Sequence, residues 1–270
     1  MTDLEKIANG IRRRILRMAS EARAPHIGSG LSCVEILVVL YFEVARLYPE
    51  RPDSAERDRI ILSKGHAALT QYACLAERGF FPTERLSEFA RENSTLAEHP
   101  SLGAVPGIEC TTGSLGHGLG IGTGIALSLK RREIDARVFV ILSDGECNEG
   151  STWESALWAP KQGLDNLVAI VDFNRLQATG RSTEITSLEP LADKWRSFGW
   201  ETLEVDGHDP EALSNALRQP PSGGIPRALI AHTIKGKGVS FMEDDVEWHY
   251  RPPTQAELAD ALAELEEAAR

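Results

Sequence analysis

The chain has 270 residues, 42% of them hydrophobic and 26% charged, with a formal net charge of −11 and a pI near 5.2. That length accommodates one large domain or two small ones and a sizeable core. The acidic balance disfavours a nucleic-acid or anionic-membrane surface, so an anionic ligand needs local positive groups.

The cysteines Cys33, Cys74, Cys110 and Cys147 form no CxxC pair and stand at no zinc spacing with a histidine, so they are expected to be reduced. The opening residues, MTDLEKIANGIRRR, lack an apolar signal core, and the apolar run 36–42 is too short to cross a bilayer. The expectation is a soluble cytoplasmic protein with neither a nucleic-acid nor a membrane partner.

Leu4, Ile7, Ala8, Ile11, Ile15 and Leu16 recur at helical spacing. They predict an amphipathic opening helix whose outer face carries Arg12 to Arg14 as a solvated run. Ser32 with Glu35 has the form of a capping box, so a buried helix is expected to start near Ser32. The glycine-flanked loop before it carries His26. Residues 60–62 read as a short strand or extended lead-in, Lys64-Gly65-His66 as a turn, and 67–78 as a helix. His66 thus stands just ahead of a helix N-terminus, where free backbone N–H groups favour anions.

Residues 97–132 are rich in glycine and hold His99 and His117. A dinucleotide fingerprint fails there, because Thr123 occupies the third glycine position and no strand directly precedes the run. The small residues are expected to let a helix pack closely on its neighbour.

Residues 138–142 and 167–171 are apolar runs separated by a helix-like segment, which predicts a strand–helix–strand unit with parallel strands. Ligands of such units bind beyond the carboxyl ends of the strands. The first run ends in Ser143-Asp144-Gly145 and the second in Asp172-Phe173-Asn174. The Asp144 carboxylate and the Asn174 amide oxygen suit a hard cation such as Mg²⁺, which takes oxygen ligands and bridges to phosphates.

Further on, 190–198 reads as a helix, 201–205 as a strand, and 210–217 as a helix with proline near its first turn. Residues 228–234 read as a buried strand ending in Lys235-Gly236-Lys237-Gly238, a turn whose lysines can face an anion. Thr254 with Glu257 is a second capping box, opening a last helix with Leu258, Leu262 and Leu265 on one face. The alternation of helices and strands argues for a single α/β domain over residues 1–270, a mostly parallel sheet flanked by helices.

Several stretches carry a family likeness in order: PHIGSGLS, LSKGHA, EHPSLGAVPGIECTTGSLGHGLGIGTGIAL, SDGECNEG with DFNRLQATG, and HTIKGKGVSFMEDDVEWHY. With them the chain resembles the N-terminal, thiamine-diphosphate-binding segment of transketolases, whose signature is GDG followed a helix and a strand later by Asn. The resemblance implies that Asp144, Asn174 and the backbone carbonyl of Leu176 hold Mg²⁺, with diphosphate oxygens and water completing an octahedron. It implies that Gly145 lets the backbone approach the diphosphate, and that His66 lies near the diphosphate and thiazolium. Gly113 and Leu115 would bracket the aminopyrimidine. His26 and His99 would reach substrate hydroxyls, His249 would be a further active-site histidine, and Glu149 would sit at the subunit contact that links the active sites. The pattern departs at Ser143, which replaces the first glycine of GDG, and at His117, where many full-length members have glutamine.

In the family, a pyrimidine-binding domain with the catalytic glutamate and a C-terminal domain follow this segment. Neither is matched within these residues. The resemblance therefore implies the N-terminal subunit of a split transketolase, working with a separate C-terminal transketolase subunit that carries the pyrimidine-binding domain, in an α₂β₂ assembly. Its expected reaction moves a two-carbon ketol unit from a ketose, expected to be phosphorylated, to an aldose, with thiamine diphosphate and Mg²⁺. The α subunit of a thiamine-diphosphate-dependent 2-oxo-acid dehydrogenase would share the metal motif. His26, His66 and His99 in their glycine turns favour the transketolase.

Overall fold

The structure is a computed structural model that describes residues 1–269. Among these residues one parallel five-stranded sheet has the order β1-β2-β3-β5-β4. Its strands are β1 (Arg59–Leu62), β2 (Val138–Ser143), β3 (Leu167–Phe173), β4 (Glu201–Asp206) and β5 (Arg227–His232). β2 and β3 are buried along their whole length. Near-continuous apolar runs such as theirs belong to strands covered on both faces. The register pairs Ser143 with Asp172 and Asp172 with Ala231, so β2, β3 and β5 end at nearly one level.

In chain order the helices are α1 (Asp3–Ala22), α2 (Ile27–Ser32), α3 (Val34–Val39), α4 (Ala68–Glu77), α5 (Gly118–Arg131), α6 (Gly150–Lys161), α7 (Ser182–Ile185), α8 (Leu191–Ser197), α9 (Pro210–Arg218) and α10 (Gln255–Glu267). Strand residues alternate between two cores. Phe139, Ile141, Val168 and Ile170 pack with α1, α3, α4, α9 and α10. Val138, Val140, Ala169 and Val171 pack with α5, α6 and α8. Gly122 explains how α5 lies so close to β2, because a Cβ there would stand 2.5 Å from Val140 Cγ2. This is the close packing expected of the glycine-rich run.

The capping box at Thr254 and Glu257 opens α10 as expected, and an equivalent one at Thr2 and Glu5 opens α1. A buried helix does start near Ser32, namely α3 at Val34, but the Ser32–Glu35 capping box is corrected: α3 has no side-chain cap, and Ser32 itself ends α2. The Ser32 hydroxyl donates to Asp172 Oδ2 at 2.5 Å, and Glu35 pairs with Arg12 and His208. A three-residue spacing is a local signal, and here buried partners far away in sequence claim both side chains. Arg12 is corrected for the same reason. It is 7% exposed and faces Glu35, whereas Arg13 and Arg14 reach Glu266 and Glu77 nearer the surface. No helix among the described residues is long and apolar enough to cross a membrane.

Candidate active site

Beyond the carboxyl ends of β1, β2 and β3 lies a cavity of about 350 Å³. All the residues singled out from the sequence as site residues line it: His26, His66, His99, His249, Gly113, Leu115, Asp144, Gly145, Glu149, Asn174 and Leu176. His117 does not. It caps α5 from an exposed position, with Nδ1 3.3 Å from the Leu115 carbonyl oxygen. A larger cleft of about 560 Å³ lies elsewhere, but its cations are already paired: Arg46 with Asp135, Lys130 with Asp165, Arg137 with Asp58 and Arg218 with Glu43.

Asp144 follows β2 and is 1% exposed. Its Oδ1 accepts from the Gly145 N–H at 2.9 Å and its Oδ2 from the Ser182 hydroxyl at 2.6 Å. Burial pushes its carboxyl above the usual range, against those two hydrogen bonds. Asn174 follows β3. Its Nδ2 donates to Ser32 Oγ at 3.2 Å, and its Oδ1 accepts from the Leu176 N–H at 3.0 Å. Ser143, in place of a glycine, ends β2 and accepts the Glu146 N–H at 3.2 Å, which anchors the turn after Asp144.

Beneath this pair of oxygen donors lies a fully buried ion pair, Lys64 with Asp172. Lys64 also donates to the Ser29 carbonyl at 3.0 Å, and Asp172 also accepts from Ser32 and Thr233. Burial alone would raise the Asp172 carboxyl, but Lys64 and the hydroxyls hold it below the usual range. Of the two lysines after β5, only Lys235 reaches the site. Its Nζ lies 3.4 Å from the carbonyl oxygens of Leu176 and Gln177 and 2.8 Å from His249 Nδ1. Burial, aided by Lys64, lowers its pKa to about 8. Lys237 instead pairs with Glu243 at 3.2 Å.

The histidines form one cluster. Ring centroids are 4.9 Å apart for His26 and His249, 5.3 Å for His26 and His66, and 6.1 Å for His26 and His99. The backbone N–H of His26 donates to the His249 carbonyl at 2.7 Å. Burial, with His99, lowers the pKa of His26 to about 4. Burial, with Lys235, lowers that of His249 to about 3, and His66 falls well below its usual value for similar reasons. Near neutral pH these rings are uncharged, so each can accept or donate a hydrogen bond. Glycines make the crowding possible. A Cβ on Gly65 would stand 2.7 Å from Gly113 N, and one on Gly113 (φ +134°) would stand 2.7 Å from the His99 ring.

The donor set fits Mg²⁺ and a diphosphate. A buried carboxylate, an amide oxygen and a backbone carbonyl are hard oxygen donors, and a bound cation would offset the desolvation that burdens Asp144. Among the described residues no cluster of three or more His, Cys, Asp or Glu could hold a metal by itself. A site with one carboxylate therefore leaves the remaining ligand positions to carbonyls and ligand oxygens. Lys64 is already neutralised by Asp172, so Lys235, which has no ion-pair partner among the described residues and lies against Leu176 and His249, is the local positive group beside the site. Gln177 Nε2, buried and without a partner at the cavity wall, is a free donor.

Sequence reasoning missed Lys64, Asp172, Gln177 and Tyr250. The signal for Asp172 was present as a lone charge closing an apolar strand. Such a residue is either paired or ligand-facing. Gln177 and Tyr250 stand within matching stretches but carry no local pattern.

A family model described as transketolase, thiamine diphosphate binding domain, matches residues 4–265. The chain is 41% identical over 257 residues to one of the subunits of apulose-4-phosphate transketolase from Phocaeicola vulgatus, covering 95% of this chain and 91% of that protein. It is 40% identical over 265 residues to 6-deoxy-6-sulfo-D-fructose transketolase subunit SqwG of a Clostridium species, covering 98% and 96%. Among solved structures, transketolase from Campylobacter jejuni superposes with a TM-score of 0.93 at 28% identity, covering 98% of this chain but 43% of that one. The chain belongs to the transketolase family, within its thiamine diphosphate-binding domain.

Proposed function

We propose that this chain is the thiamine-diphosphate-binding subunit of a split transketolase. With a partner subunit it transfers a two-carbon ketol unit from a ketose to an aldose, using thiamine diphosphate and Mg²⁺. The observation that carries this reading is the convergence of the oxygen donors, four histidines and Lys64 on one cavity at the carboxyl edge of the sheet. The relatives named as single subunits of transketolases, matched over nearly their whole length, support the split organisation. The chain spans 43% of the length of the Campylobacter jejuni transketolase. In this reading a separate C-terminal transketolase subunit with the pyrimidine-binding domain supplies the remaining parts of the site, in keeping with the subunit names of the relatives. Residues 1–270 act as a single cytoplasmic domain, assembled as α₂β₂. Ile121 of α5 and Leu157 and Trp158 of α6, exposed and apolar, offer surface for that assembly.

In this reading Asp144, Asn174 and the Leu176 carbonyl hold Mg²⁺, and Gly145 leaves room for the diphosphate. Gly113 and Leu115 wall the aminopyrimidine side, and Glu149 lies towards the subunit contact. Thiamine diphosphate, when bound, supplies the stabilised carbanion equivalent that carbon–carbon bond transfer requires. His26, His66 and His249, held neutral by burial, and His99 beside them orient the hydroxyls of the ketose and exchange protons with them. The donor is a phosphorylated ketose, a class that includes the substrate in the name of the Phocaeicola vulgatus relative.

The test is co-expression with a candidate C-terminal transketolase subunit, purification of the complex, and assay of ketol transfer with cofactor and Mg²⁺. Transfer that requires both chains and stops on chelation is expected. Decarboxylation of a 2-oxo acid without ketol transfer would reverse the reading.

A further inference from the structure

Outside the cavity, three polar side chains from distant parts of the chain meet. They are Arg12 of α1, Glu35 of α3 and His208 in the turn after β4. Arg12 Nη2 stands 2.6 Å from Glu35 Oε1, and Glu35 Oε2 stands 3.0 Å from His208 Nδ1. Arg12 and Glu35 are 7% and 6% exposed. None of the three lines the cavity.

Two contacts leave this cluster, and both go to one segment. The Ile234 N–H donates to His208 Nε2 at 2.8 Å, and Arg12 Nε donates to the Lys237 carbonyl at 2.9 Å. A backbone N–H can only donate, so Nε2 is an acceptor and the ring proton sits on Nδ1, facing the Glu35 carboxylate. Residues 234–238 form the turn that leaves β5, beyond the last strand pairing at His232. From this turn Lys235 reaches the Leu176 and Gln177 carbonyls and His249. The fit is close on both sides. A Cβ on Gly238 (φ +96°) would stand 2.7 Å from Arg12 Nε, and one on Gly28 would stand 3.3 Å from Lys235 Cγ.

We propose that Arg12, Glu35 and His208 are positioning residues: they fix the 234–238 turn, and through it they set Lys235 against the Leu176 carbonyl and the His249 ring. A buried ion cluster adds little net stability beyond what packed apolar side chains would give. What it supplies here is an acceptor for the Ile234 N–H and a donor for the Lys237 carbonyl, in a segment with no ladder of its own. Glu35 is equipped for the task. Burial would raise its carboxyl, but Arg12 and His208 hold it below the usual range, so it stays charged and keeps His208 in one tautomer.

The activity arm of the test rests on the transketolase reading, and the spectroscopic arm does not. In ¹⁵N-histidine NMR spectra, His208 is expected as the Nδ1–H tautomer. His208→Phe keeps the ring shape and removes both hydrogen bonds. His208→Gln keeps an acceptor and a donor in one amide. In the assembled enzyme His208→Phe should speed amide exchange across residues 234–238 and raise the KM for the ketose about tenfold, with a smaller change in kcat. His208→Gln should recover most of both. An Nε2–H tautomer, or unchanged exchange and KM in a folded His208→Phe, overturns the proposal. So does a loss of melting temperature in both variants with no KM difference between them. A wild-type assembly without ketol transfer would sink the functional reading, and the tautomer and exchange data would then decide the role of the triad.

Discussion

Asp144 and Asp172 stand at the ends of neighbouring strands, one residue out of register with each other, and both are buried. Their electrostatics are opposite. Asp172 is paired with Lys64 and bonded to two hydroxyls, and its carboxyl is held below the usual range. Asp144 has a hydroxyl and a backbone N–H but no ion pair among the described residues, and burial pushes its carboxyl up. A buried charge with its partner inside the chain is structural. One without a partner, at a cavity wall, is equipped for a cation from outside. The same contrast separates Glu35, held charged by Arg12 and His208, from His26 and His249, which burial keeps neutral at the cavity.

The largest expected effect falls on the paired side. Asp172→Ala leaves the Lys64 ammonium buried and unpaired, which costs about 3–5 kcal/mol. Denaturant unfolding of the chain measures it, and the double variant Lys64→Met with Asp172→Leu should regain most of the loss. A cost under about 1 kcal/mol for Asp172→Ala would collapse the contrast. On the open side the signs differ. Asp144→Ala should leave unfolding stability unchanged or higher, because a desolvated carboxyl is removed. Mg²⁺-dependent binding of thiamine diphosphate by the assembled enzyme should weaken about 100-fold. Calorimetry reads the second effect, and undiminished binding would remove Asp144 from the proposed metal site.

This contrast also marks what the sequence could and could not reveal. The strands were legible because 138–142 and 167–171 are apolar runs of strand length, and their ends placed Asp144 and Asn174 before any fold was known. The motifs around His26, His66 and His99 were legible through the family resemblance, and the structure gathers those rings in one cavity, although Gly28 and Gly30 after His26 lie in α2 and not in a loop. The paired side was illegible, because its contacts join residues remote in sequence. Lys64 reaches Asp172 across 108 positions, Ser32 reaches it across 140, and Glu35 meets His208 across 173. Local rules read Ser32 and Glu35 as a cap and Arg12 as solvated. Tertiary packing reassigned all three, since an unpaired buried charge costs more than a helix cap contributes.

The smallest expected effect concerns His26, whose pKa of about 4 lies below the ordinary 6.5 because burial and the neighbouring His99 disfavour the cation. Between those values the unfolded chain binds more protons than the folded one. Stability is therefore fully present above pH 6.5 and is lost as the pH falls towards 4. NMR titration of the ring should give a midpoint near 4 in the isolated chain. His26→Asn keeps a side chain that tolerates the left-handed backbone at this position (φ +71°) and removes the titrating ring. The melting temperature of the variant should then fall less steeply between pH 6.5 and 4 than that of the parent. His66 and His249 titrate low as well, so part of the acid slope should survive the substitution. A His26 midpoint near 6.5 would mean that water or a counter-charge reaches the ring. His26 would then belong with the compensated groups, and the neutral role proposed for it towards a substrate hydroxyl would lose its physical basis.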